Sequence, residues 1–474
     1  MKLKTLLLGM AMTCLAWSCT EDNPVLTVEG GKIQGLLTET EGVYVYKGIP
    51  YAAPPVGDLR WKVPQPVVPW DGVRQCSEFS CAAVQPAHGQ HGLYEKEFYF
   101  KGDPPFSEDC LYLNVWTPAP GKTDAKLPVA LWVHGGAYIA GWGFEEEMDG
   151  EAWAKRDVIL VTINYRLGIF GCLAHPELTA EDPDNSSGVY GFMDQRAALM
   201  WVQNNIEAFG GDPDNVTLFG QSAGAGSVMN LVASPISKHL MHKAIIQSGG
   251  GGKISGTTDL AQAKADAENL GKAVMDLSGL TDLKKMREAS TEEIWAAHEK
   301  YVNEHKTWSI WRPAPEGYAL METFFESVEN NSIADIPYMI GSVRDDAERA
   351  PQAAQDLAKA RTLQSDKPVY VYQFARPLPG DDEGAFHSAE LWYTFGTLSR
   401  CWRPFTEGDY ALSDYMIDCW TNFAKYSDPN GKGKARWQPY QTDSQECMVF
   451  NLDEYGNEAS AMGMPQPKQK HFRF

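Results

Sequence analysis

The chain has 474 residues, with 62 acidic against 41 basic side chains, a formal net charge of −21, 43% hydrophobic residues, 15 Trp, 20 Tyr and 19 Phe. That apolar and aromatic content excludes a disordered chain, and the length admits several domains or one large α/β domain. The acidic field repels a nucleic-acid duplex or an anionic membrane surface, so neither is an expected partner.

At the start of the chain, Lys2 and Lys4 precede an apolar run over 6–17 that ends at Ser18-Cys19. A basic start, a short apolar stretch and small residues at its end read as a secretory signal over 1–18. The run is too short to span a bilayer. It resembles a bacterial lipoprotein signal, which implies that Cys19 carries lipid and is the first mature residue. The acidic Glu21-Asp22 that follows resembles the surface-export signal of Bacteroidota lipoproteins. The resemblance implies an outer-membrane lipoprotein, at the cell surface or in the periplasm, that meets the membrane only through its anchor. Of nine cysteines, Cys14 and Cys19 belong to this region. Seven remain, and an odd number in an oxidising compartment leaves at least one thiol unpaired. No CxxC or Cys/His cluster has zinc spacing, so no metal is expected.

From about residue 25 to 474 the chain shows no repeat, no low-complexity block and no long linker, which points to a single domain. Segments 43–46 and 111–115 alternate like antiparallel strands. Segments 128–133, 158–164, 216–219, 244–247, 337–340 and 369–374 are short, mostly continuously apolar and β-branched, as strands buried on both faces of a parallel sheet are. Helical spacing runs over 191–209 and stops at Gly210-Gly211; further helices are expected from Ala223 and over 261–274. Alternating β and α units predict an α/β fold with a doubly wound, mostly parallel sheet.

Two motifs lie in the right places on those elements. Gly220-Gln221-Ser222-Ala223-Gly224 joins a strand to a helix, and the glycines permit a turn sharp enough to expose the Ser222 hydroxyl above the sheet. The helix that starts there offers N-terminal amides to a developing anion. His134-Gly135-Gly136-Ala137 follows another strand, and backbone amides in such a loop can hold the negative oxygen of a tetrahedral intermediate. His134 itself reads as a structural hydrogen-bonder rather than a base.

With Ser107-Glu-Asp-Cys-Leu-Tyr-Leu-Asn-Val-Trp116, Asn164-Tyr-Arg-Leu-Gly-Ile-Phe-Gly171, Gly191-Phe-Met-Asp-Gln195 and Phe209-Gly-Gly-Asp-Pro213, these motifs resemble the type-B carboxylesterases, the cholinesterase/carboxylesterase family of α/β-hydrolases. The match is dense over about 28–250 and sparser to about 425. It implies an α/β-hydrolase fold, a serine carboxylic-ester hydrolase and no cofactor. It places the oxyanion amides on Gly136, Ala137 and Ala223, with Gly135 and Gln221 in the supporting loops. It implies a disulfide from Cys81 to Cys110, with Cys76 as a nearby competitor for Cys81. It also implies buried ion pairs Arg60–Glu108 and Arg166–Asp194.

The mechanism requires an acid and then a histidine after the serine. Of the histidines that follow Ser222, His387 alone lies on a loop soon after the strand at 369–374, in a stretch that resembles the family's catalytic-histidine segment. The family usually has Asp-Glu-Gly at the acid, and here the sequence is Asp345-Asp346-Ala347. Position favours Asp346; Asp345 and Glu348 are the alternatives. Only 41 residues separate Asp346 from His387, which predicts a reduced lid and an open site suited to bulky esters, including acetyl or feruloyl esters of plant or gut glycans. Generalist hydrolysis of small esters is the enzymic alternative. An inactive binding protein on the same scaffold is the non-enzymic one, disfavoured because every triad position is filled. Trp116, Tyr138 and Trp142 are candidates to stack an aromatic acyl group or a sugar.

Overall fold

The computed structural model describes residues 23–89, 92–249, 259–307, 310–431 and 436–470. The expected signal at 1–18 and Cys19 lie outside them. The main sheet has eleven strands: β1 (Leu36–Leu37), β2 (Tyr44–Pro50), β3 (Tyr112–Thr117), β4 (Leu127–Val133), β5 (Ile159–Ile163), β6 (Gly211–Gln221), β7 (Lys243–Gln247), β8 (Tyr338–Val343), β9 (Val369–Phe374), β10 (Cys447–Phe450) and β11 (Ala461–Gly463). Their spatial order is β11-β10-β9-β8-β7-β6-β4-β5-β3-β2-β1. Strands β10 to β5 in that order run parallel, and antiparallel strands close both edges.

The central strands are apolar on both faces because helices cover both. Along β4, Val129, Leu131 and Val133 point into one core with Val228 and Leu231. Ala130 and Trp132 point into the other with Trp420 and Phe423. Successive side chains of a strand alternate between faces, so one seven-residue segment serves both layers. Helices α1 (Tyr190–Asn205), α2 (Ala223–Ala233) and α5 (Ala350–Gln364) pack on the first face, and α6 (Glu407–Tyr426) packs on the second. Helices α3 (Leu260–Asp276) and α4 (Thr291–His305) build a smaller satellite core around Met275 and Ile294.

The structure extends the expected strand at 216–219 back to Gly211, across a register break before Val216. The helix expected over 191–209 ends at Asn205 and tightens into a 3₁₀ turn over Ile206–Phe209, closed by Gly210 at φ +85°. Both expected ion pairs form. Arg60 grips Glu108 at 2.6 and 2.7 Å, and Arg166 grips Asp194 at 2.7 and 2.8 Å, all four side chains buried. Removing one partner of such a pair strands a buried charge. The expected disulfide is not formed: all seven described cysteines, Cys76, Cys81 and Cys110 among them, are free thiols. Cys110 is sunk in the core beside Asp194 and Arg166, where burial raises its pKa. Cys81 is half-buried, on a segment held through its carbonyl by Asn164 Nδ2 at 3.0 Å.

Candidate active site

The carboxyl ends of β4, β6, β8 and β9 lead into the loops that carry the expected site residues, as an open α/β sheet places a site. Strand β6 ends at Gln221, and α2 begins at Ala223, so Ser222 alone makes the turn. It does so at φ +57°, ψ −121°, a conformation that costs an L residue strain. Space around it is minimal. A Cβ on Gly224 would lie 2.0 Å from the Val133 carbonyl oxygen, and one on Gly220 would lie 2.6 Å from the Gly224 backbone. The glycines flanking Ser222 are therefore demanded by backbone contact.

The loop after β4 lies flush on that turn. Gly136 has φ +99°, and a Cβ there would strike the Ala140 carbonyl at 2.0 Å. Ala137 and Tyr138 share this left-handed region at φ +55° and +63°, as does Ser388 at +79°. Of these, Ala137 and Ser388 line one cavity with Ser222 and Gly136. Among the described residues the amides of Gly136, Ala137 and Ala223 have no hydrogen-bond acceptor, so all three are free to meet an oxyanion. Gly135 and Gln221 complete the two loops; a Cβ on Gly135 would lie 3.0 Å from the Gln221 carbonyl oxygen.

His387 lies beside them, its Nδ1 2.7 Å from Asp346 Oδ1. Asp346 is wholly buried, and Oδ1 also accepts the Ala347 N–H at 2.7 Å. A carboxylate on Nδ1 fixes the proton there and leaves Nε2 as the basic nitrogen. Burial pulls the His387 pKa down, but the charge and hydrogen bond of Asp346 outweigh it, so the net shift is upward. Nε2 faces the nucleophile turn, 3.2 Å from Gln221 Nε2.

The alternative acids are otherwise placed. The Asp345 carboxylate takes Arg344 Nη2 at 2.7 Å and the N–H groups of Ala385, Gln469 and Lys470 at 2.7–2.9 Å. Glu348 is exposed. His134 is buried, its Nδ1 2.8 Å from the Gly135 carbonyl and its ring stacked on Tyr165; burial lowers its pKa to about 4. A neutral, structural imidazole fits that environment.

Ser222, His387, Gly136 and Ala137 share a cavity of about 270 Å³. None of residues 347–386 lines it, in keeping with the short segment between acid and histidine, yet the site is not left bare. Tyr94, Phe98 and Tyr99 wall it, with Glu145 and Glu147 from the loop after β4. The expected stacking aromatics are not among its lining. Trp116 and Trp142 are buried at 1% and 4% exposure, Trp116 against Phe79 and Trp142 against Tyr99 and Phe144. The Tyr138 hydroxyl packs on α2 at Gly226. Glu390, wholly buried three residues past His387, has its carboxyl pushed up to about 7 by burial; only its place in the His387 segment marks it in the sequence. Among the described residues no His, Cys, Asp and Glu group has the arrangement to hold a metal ion.

The chain matches the Carboxylesterase family over residues 22–350 and 350–466. It is 32% identical over 487 residues to the para-nitrobenzyl esterase of Bacillus subtilis, covering 90% of this chain and 95% of that protein. It is 34% identical over 386 residues to the fumonisin B1 esterase of Sphingopyxis macrogoltabida, covering 81% of this chain and 65% of that one. A solved structure of PNB esterase superposes with a TM-score of 0.77 at 29% identity, covering 92% of this chain and 97% of that one. A carboxylesterase of Geobacillus stearothermophilus superposes with a TM-score of 0.76 at 29% identity over the same shares.

Proposed function

The chain belongs to the carboxylesterase family, with the α/β-hydrolase fold and carboxylic-ester hydrolysis as its activity, and we propose that it works through an acyl-enzyme on Ser222. His387 Nε2 takes the Ser222 proton as Oγ attacks the ester carbonyl. The negative oxygen settles on the amides of Gly136, Ala137 and Ala223. His387 then protonates the leaving alcohol, and in a second round activates the water that frees Ser222. Asp346 holds the imidazole tautomer and stabilises the imidazolium. The observation that carries this reading is a histidine, held by Asp346 at 2.7 Å, in one cavity with a serine strained into the turn above a helix N-terminus.

For substrate, the reading is an acetyl or feruloyl ester of a plant or gut glycan. The export signal supports an extracellular substrate, and the short 347–386 segment supports access for a bulky alcohol. Within that reading, residues 1–18 direct export, Cys19 is lipidated, and the domain from about 25 to 474 acts at the outer membrane, cell surface or periplasm. The small cavity, about 270 Å³, favours a second reading in which the enzyme takes small esters generally. Hydrolysis of p-nitrophenyl acetate and butyrate, beside acetylated xylan and a feruloyl arabinoside, separates the two. Turnover of every ester is expected to vanish in Ser222→Ala with the fold intact; residual turnover in that variant sinks the acyl-enzyme reading.

A further inference from the structure

The cavity that holds Ser222 and His387 is also lined by three glutamates that acyl transfer does not use, Glu95 and the two deeply buried residues Glu145 and Glu147. Glu145 and Glu147 both line it, although their exposures are only 7% and 0%. Three other buried carboxylates face a cation: Glu108 faces Arg60 at 2.6 Å, Asp194 faces Arg166 at 2.7 Å and Glu97 faces Arg403 at 2.8 Å. Among the described residues, Glu145 and Glu147 have no such cation. Glu145 Oε1 accepts the Trp142 N–H at 2.9 Å; the Glu147 carboxyl faces Glu145 and its own backbone N–H, and neither of its oxygens has a well-formed donor among the described residues. A buried polar group left in that state costs about 1–3 kcal/mol. One that borders a substrate cavity recovers the cost when a ligand supplies the missing bond, which is how such sites select for a hydroxyl.

Burial pushes the Glu145 carboxyl up to about 7, and burial with repulsion from Glu145 pushes Glu147 well above the carboxylate range. Near neutral pH the pair therefore keeps a proton, which the two facing carboxyls share, leaving acceptor oxygens for a ligand. A neutral hydroxyl donates to these, whereas a cation gains full attraction only after the pair ionises.

Position decides which part of the substrate the pair meets. Met148, beside Glu147, lines the cavity together with Leu391, four residues past His387. Tyr94 donates its hydroxyl to the His387 carbonyl at 3.3 Å, and Phe98 follows it one helical turn later. Glu147 is tied to the segment that follows His387, its backbone carbonyl accepting the Thr397 hydroxyl at 3.0 Å, while Glu145 lies against the Gly141–Trp142 turn. The pair is thus reached from the side of His387, the residue that hands a proton to the departing alcohol. Tyr94, Phe98 and Tyr99 supply apolar ring faces for the C–H face of such an alcohol.

We propose that Glu145 and Glu147 form a leaving-group subsite that recognises a neutral, hydroxyl-bearing alcohol, a sugar or polyol, in preference to an alkyl alcohol of the same shape. The proposal rests on the reading of Ser222 as nucleophile. Its test compares kcat/KM for 2,3-dihydroxypropyl acetate and 2-methylbutyl acetate, which differ by two hydroxyl-to-methyl replacements, in wild type, Glu147→Leu and Glu147→Gln. The ratio of the two substrates within one protein is independent of how much of it is folded. Wild type is expected to prefer the dihydroxy ester by about tenfold or more, Glu147→Leu to lose that preference, and Glu147→Gln to retain part of it. A ratio unchanged in both variants makes the pair structural and overturns the subsite. A wild type that hydrolyses p-nitrophenyl acetate yet favours the methylbutyl ester overturns the subsite and leaves Ser222 standing. Activity on none of the three overturns both.

Discussion

The two halves of the active site are held in place by different forces. On the Ser222 side, backbone touches backbone: the elbow fits against the end of β4 so closely that a single added carbon at Gly224 would sit 2.0 Å from the Val133 oxygen. On the acid–histidine side, loops are tied by side chains and by the end of the described chain. Asp345 gathers Arg344, Ala385, Gln469 and Lys470, and Lys468 Nζ donates to the Asp346 carbonyl at 2.6 Å. The first half fails when an atom is added, the second when a charge is removed.

That contrast orders the expected effects of substitution. His387→Ala is expected to lower kcat on p-nitrophenyl acetate roughly 10⁴- to 10⁶-fold, because the base and the acid of both steps vanish together. Asp346→Asn is expected to cost about 10⁴-fold in kcat and to move the acid limb of kcat/KM. Burial lowers the His387 pKa, but Asp346 lifts it net above the ordinary 6.5. In the proposed mechanism the neutral imidazole is the active form, so wild-type activity is expected to fall as pH drops through that raised value. Without Asp346 the limb shifts to lower pH; an unmoved limb would mean another group sets it. Gly224→Ala tests the steric half, with a loss of about 3 kcal/mol or more expected in urea unfolding. A stable variant with full activity would show that the β4 backbone can yield.

Asp345→Asn strands the buried Arg344 guanidinium, 2.7 Å from the carboxylate, and weakens three backbone hydrogen bonds, so about 3 kcal/mol of stability is expected to be lost. Burial raises the Asp345 pKa, but Arg344 and three backbone amides outweigh it, so the net shift is downward. A carboxyl depressed in the folded state gives stability that is present above its unfolded pKa and lost as pH falls through the folded value. The variant should therefore lose less stability than wild type on acidification, as read from thermal midpoints between neutral and acidic pH.

The same contrast explains what could be read in the sequence. Backbone contacts write themselves as glycines at fixed spacing, so Gly220, Gly224 and Gly136 marked the elbow and the neighbouring loop. Strand β9 was legible to the residue because Val369 to Phe374 is an unbroken β-prone run. Helices α4 and α6 escaped although each opens with a capping box, Ser290/Glu293 and Thr406/Asp409. Strands β10 and β11 are four and three residues long and carry too little pattern to stand out. Asp345 and Asp346 could be ranked by position, but which one faces His387 is settled by contacts with residues more than 100 positions later. The wall around Tyr94 and Glu147 comes from segments with no motif of their own, which is why aromatics nearer the His134 loop drew attention instead.

The nucleophile is tested most directly by mass spectrometry after exposure to an alkyl fluorophosphonate, which traps an activated serine. One phosphonyl adduct is expected, on the peptide that holds Ser222, absent in Ser222→Ala and slowed by several orders of magnitude in His387→Ala. An adduct on another residue, or unchanged labelling without Ser222, would contradict the assignment of Ser222 as the acyl carrier.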